Sequence, residues 1–130
     1  MPLQKKANGA NFKASEGPLT VRFDGGGTVV VYVVCLWGPK AQFGGQRPKG
    51  WSTEKLTSTE DGDTVTVPEG MFAAGMQITW SGGLIAPGEA QGRLLVTLEQ
   101  DGSEAGSYAY EYAFAEKNQT ESFYDGLNFI

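Results

Sequence analysis

The sequence predicts an all-β fold: one antiparallel β-sandwich, jelly-roll-like, or a small barrel, of about seven or eight short strands. Three observations carry this expectation. Apolar and polar residues alternate along several segments, the spacing that sends successive side chains to opposite faces of a strand. Glycine is abundant, 19 of 130 residues, and clusters between those segments, where turns are needed. No stretch keeps a 3.6-residue period over about eleven residues. The nearest helix candidate, Glu69 to Met76, is short and contains Gly70 and Gly75.

Residues 1–17 read as an extended N-terminal arm and residues 18–130 as the sandwich domain. The arm carries Lys5, Lys6 and Lys13 and only scattered apolar residues. That is too little to dock it strongly on its own core, and a neighbouring subunit could order it. Leu19 to Asp24 alternates as a half-buried strand does, and Gly25-Gly26-Gly27 follows as a turn. Thr28 to Trp37 is nearly all apolar and rich in β-branched residues, the pattern of a strand covered on both faces. Residues 38–62 show no clear period and form the longest expected loop, a length often tied to function. Asp63 to Val67 is a short strand closed by Pro68.

Gln77 to Trp80 alternates, and Ser81-Gly82-Gly83 is expected to break it before the short apolar segment Leu84 to Ala86. Ala90 to Gln100 places Leu94, Val96 and Leu98 on one face. Asp101-Gly102 is a strong hairpin signal. Tyr108 to Phe114 puts Tyr108, Tyr110, Tyr112 and Phe114 on one face, either as core or as an exposed stacking surface. Ser122 to Ile130 is the last strand, interrupted at Asp125-Gly126.

Composition removes much chemistry. With no His, there is no Ser-His-Asp triad, no His general base and no His-ligated metal. One Cys allows no internal disulfide and no multi-Cys metal or cluster site. Cys35 itself, in the most apolar strand, reads as an inert small hydrophobe. Glu60-Asp61-Gly62-Asp63 lacks the other positions of a Ca²⁺ loop and reads as a solvated turn. Gly25-Gly26-Gly27 lacks the spacing of a phosphate loop. No catalytic residue, cofactor or metal site is therefore expected, and the chain is not expected to be an enzyme.

The net charge of −5 argues against nucleic acid as a partner. Its distribution is uneven: residues 1–55 hold eight bases and three acids, and residues 56–130 two bases and twelve acids. Folding can interleave the halves, or the polarity can drive head-to-tail association. The longest apolar run, Val29 to Trp37, is too short to insert in a membrane. There is no apolar stretch of signal-peptide type near the N-terminus, so a soluble protein, cytoplasmic or within a virion, is expected. Trp37, Phe43, Arg47 and Trp51 lie in or beside the 38–62 segment, and with Trp80 they supply residue types enriched at binding hot spots. The expected function is structural: assembly through contacts with copies of itself or another structural protein, as in a phage virion subunit or decoration protein. The alternative is a lectin-like module binding a glycan through these aromatics.

Overall fold

Leu19, Val21 and Phe23 are buried on one side of their strand while Arg22 is exposed on the other. The same alternation builds most strands in the computed structural model of the chain. The structure describes residues 5–13, 17–26, 28–37, 48–58, 63–69, 74–85 and 90–130, with 48–58, 90 and 91 as backbone. Nine strands lie among them: β1 (Ala10–Phe12), β2 (Leu19–Asp24), β3 (Val29–Trp37), β4 (Pro48–Ser58), β5 (Asp63–Val67), β6 (Gln77–Ile85), β7 (Ala90–Gln100), β8 (Ser103–Phe114) and β9 (Thr120–Phe129).

One sheet runs β4-β3-β6-β9-β1 and the other β5-β2-β7-β8. Every pairing is antiparallel except that of β1 with β9. The two sheets pack face to face as an open sandwich, not a closed barrel. In each sheet, strands from the basic first part of the chain lie beside strands from the acidic second part, so folding interleaves the charges.

The core fills the space between the sheets. Val21 and Phe23 from β2 and Leu94, Val96 and Leu98 from β7 meet Val34, Leu36, Ile78 and Trp80 from β3 and β6. Each such side chain contributes about 1.5–3 kcal/mol by leaving water. Phe23 stacks on Tyr32 across the gap, with ring centroids 4.0 Å apart. The β8 aromatic row belongs to this core: Tyr110 and Phe114 are buried, and Tyr108 and Tyr112 are packed against it. Asp101 and Gly102 both have positive φ, 55° and 77°, and join β7 to β8 as the sequence predicts.

Three local expectations give way. β4 lies inside the expected long loop; its sequence is mostly polar, so an edge strand that pairs only with β3 leaves no apolar period. β6 runs unbroken through Ser81-Gly82-Gly83 and ends at Ile85. A Cβ at Gly82 would stand 1.8 Å from the Val31 carbonyl oxygen, so this glycine permits close strand approach rather than a turn. β9 runs unbroken through Asp125-Gly126. Glu69 and the Ala74-Gly75 pair lie in turns, and no helix occurs among the described residues.

Candidate functional site

The outward faces of the two sheets differ in kind. On the four-stranded sheet, Arg22 and Arg93 are exposed, and Arg93 stands in register with Glu111. This is the polar outer face expected of an antiparallel sheet. On the five-stranded sheet, the interior strand β3, between β4 and β6, turns Val29, Val31, Val33, Cys35 and Trp37 outward. Ser81 and Tyr124 stand across the sheet from Val33, in successive register on β6 and β9. None of the described outward residues of β3, β6 and β9 carries a charge.

Val31, Val33, Cys35 and Trp37 are half-buried by their neighbours, whereas Val29 and Tyr124 are 37% and 41% exposed. The two-sided apolar character of β3 is therefore present, but among the described residues nothing covers its outer side. Trp37 lies at one end of this face, and its indole Nε1 donates to Thr79 Oγ1 at 2.8 Å. Beside it, Gln77 donates from Nε2 to Asn128 Oδ1 at 2.7 Å, while Gln77 Oε1 is buried with no hydrogen-bond partner among the described residues. Burial raises the Cys35 thiol pKa. Burial, then the nearby Cys35, raises that of Tyr124.

Of the sequence-predicted site residues, Trp37 and Trp80 stand on opposite sides of their sheet. Trp37 is on the outer face, whereas Trp80, 0% exposed, points into the core from the same sheet. Trp80 is thus a structural residue: it pairs with Val34 in register, on the inner side of β6, and its Nε1 donates to the Tyr110 hydroxyl at 3.0 Å. The backbone of Trp51 lies in β4, in a strand and not a loop, within the register shift between Cys35 and Trp37. Phe43 and Arg47 lie outside the described residues.

A second feature was missed by sequence reasoning. Asp125 occupies an inward position of β9 between Phe123 and Leu127 and is only 2% exposed. A buried carboxylate needs several donors to offset lost hydration. Asp125 has them: Ala7 N–H at 2.6 Å, Asn8 N–H at 2.5 Å, Gly126 N–H at 2.9 Å, and the Tyr110 hydroxyl. Burial and this bond to Asp125 hold the Tyr110 phenol well above its ordinary pKa. The legible signal was an acid in the inner row Phe123, Asp125, Leu127, Phe129.

Asp125 thereby holds the N-terminal arm. Lys5 exchanges backbone hydrogen bonds with Ala109 on β8, at 2.8 and 3.2 Å. The chain then crosses to β9, where Gly9 N–H donates to Gly126 O and β1 pairs in parallel with Leu127 to Phe129. The arm closes the side of the sandwich between the β8 and β9 edges. Residues 5–12 of the arm thus dock on β8 and β9 of their own chain rather than on a neighbour. Main-chain hydrogen bonds and the carboxylate hold it, with little apolar burial beyond Ala7 and Phe12.

No group of three or more His, Cys, Asp or Glu side chains able to hold a metal ion occurs among the described residues. No helix among them is long and apolar enough to cross a membrane. Compared with known proteins, the chain matches no family model, no curated protein and no solved structure.

Proposed function

We propose that this chain is a non-enzymatic assembly subunit, of the virion or decoration type, which associates with a second copy of itself through the outer face of the five-stranded sheet. The observation that carries this reading is β3, apolar on both sides although only its inner side is covered by described residues. Apolar sheet surface left in water favours association. A copy is the favoured occupant because a two-fold interface must complement itself, and the uncharged outward rows of β3, β6 and β9 do so without like-charge conflict. β3, β6 and β9, of about nine residues each, present roughly 430 Å² of projected sheet, about half of the roughly 800 Å² per partner of a stable interface, the rim supplying the rest.

Light scattering across a concentration series tests the reading. The wild-type chain is expected to dimerise or assemble further, and Val33→Glu to remain a monomer with its thermal midpoint nearly unchanged. A wild-type chain that stays monomeric to hundreds of micromolar overturns the proposal. Binding on a glycan array, abolished by Trp37→Ala, would instead support the lectin-like alternative.

A further inference from the structure

We infer that the groove between the β8 and β9 edges is a receptor for extended main chain, and that it accepts the arm of a second copy as well as the chain's own. The groove recognises backbone first. Ala109 meets both polar groups of Lys5, Asp125 takes the N–H groups of Ala7 and Asn8, Gly126 O takes that of Gly9, and β9 offers a free edge to β1. This is strand addition to a sheet edge, in which main-chain bonds supply affinity and a few side-chain positions supply selectivity.

Selectivity comes from three places in the arm. Ala7, 6% exposed, must be small. Asn8 and Gly9 turn with φ of 52° and 74°, a conformation that asparagine and glycine tolerate. Phe12 packs near Phe129, with ring centroids 6.1 Å apart. The arm of another copy carries the same residues and reproduces every one of these contacts, so exchange sacrifices none of them.

Charge favours the same occupant. Residues 5–13 carry Lys5, Lys6 and Lys13 and no acid, whereas residues 103–130, which hold β8 and β9, carry five acids and one base. An incoming basic arm is drawn to an acidic edge. The strands of both sheets pair with one another without the arm, so its departure breaks no pairing among β2 to β9. This inference does not rest on the outer face of the five-stranded sheet.

Asn11 and Asn128 stand in register in the β1–β9 pair, which gives a direct trap. In full-length chains carrying Cys35→Ser, one batch receives Asn11→Cys and another Asn128→Cys. A disulfide between them requires the arm of one chain to lie on β9 of the other. Under mild oxidant the mixture is expected to yield covalent heterodimer, several-fold more than Asn11→Cys mixed with Thr120→Cys, a site out of register. An excess of full-length Cys35→Ser chain should suppress it. A single chain with both Asn11→Cys and Asn128→Cys should close internally, which reports that the substituted pair folds and meets. Internal closure with no heterodimer above the Thr120→Cys control overturns the inference. The mixture is repeated with Val33→Glu in both chains: persistence supports arm exchange in its own right, and loss overturns it in favour of proximity through the outer face.

Discussion

The Tyr110 hydroxyl on β8 donates to the Asp125 carboxylate on β9, so a tyrosine of one sheet is bonded to an acid of the other. A second bond of the same kind runs in the opposite sense: Tyr32 of β3 donates to Asp63 of β5 at 2.8 Å. The two pairs fix the sheets against sliding, one beside the arm and one at the β5 edge.

They should not be equal in weight. Tyr110→Phe leaves buried Trp80 Nε1 without its acceptor and Asp125 short of a donor, which costs about 1–3 kcal/mol. Tyr32→Phe leaves Asp63 near solvent, where water replaces the donor, and is expected to cost about 1 kcal/mol or less. Urea unfolding of both variants measures the difference, and Tyr110→Phe should be the less stable.

Alkaline pH should unfold the protein before its buried phenols ionise. Burial, reinforced by Asp125 and Asp63 respectively, raises the pKa values of Tyr110 and Tyr32 above the ordinary 10.0. A raised folded-state pKa means the native state retains protons that the unfolded state loses. That contribution to stability is complete below pH 10 and is lost as pH rises toward the folded-state values. Absorbance at the tyrosinate band should therefore lag a free-tyrosine titration above pH 10, then rise together with loss of near-ultraviolet circular dichroism.

Gly82→Ala should be among the most damaging single-methyl additions. Its Cβ meets backbone, the Val31 carbonyl oxygen at 1.8 Å, which cannot rotate aside as a side chain could. A loss of about 3 kcal/mol, the upper part of the overpacking range, is expected in thermal or urea unfolding. Gly102→Ala provides the contrast: nothing lies within 4 Å of its Cβ, and only the positive φ of 77° resists the change, for about 1 kcal/mol.

Cys35 should alkylate slowly. Its thiol is half-buried and its pKa is raised by burial, so little thiolate is present near neutral pH. Iodoacetamide labelling at pH 8, followed by mass, should run several-fold slower than for a free cysteine. If copies stack through the outer face, the rate should fall further as protein concentration rises, and Val33→Glu should abolish that dependence.

Wherever alternation coincided with burial, the fold was legible in the sequence. Leu19 to Asp24, Asp63 to Val67 and Ala90 to Gln100 occupy the predicted spans, and Asp101-Gly102 makes the predicted turn. Three kinds of information were not local. Gly82 and Asp125 resemble strand breakers until the partners they meet are known, Val31 in one case and the arm in the other. β4 is polar because it pairs on one edge only, and polarity alone resembles a loop. The arm docks through backbone groups that every sequence possesses. Of the proposed contact residues, Trp37 stands on the outer face, but no pattern within its own strand could tell that side from the one Trp80 shares with the core.

Ala7 and Asp125 are separated by 118 positions in sequence. Contacts so distant along the chain form late, because closing the loop between them is entropically costly. The carboxylate that secures the arm is synthesised long after the arm itself, so every nascent molecule passes through a stage in which its arm has no seat. Dilute refolding should then return self-closed molecules. Crowded refolding should return a population whose composition records the concentration at which it folded.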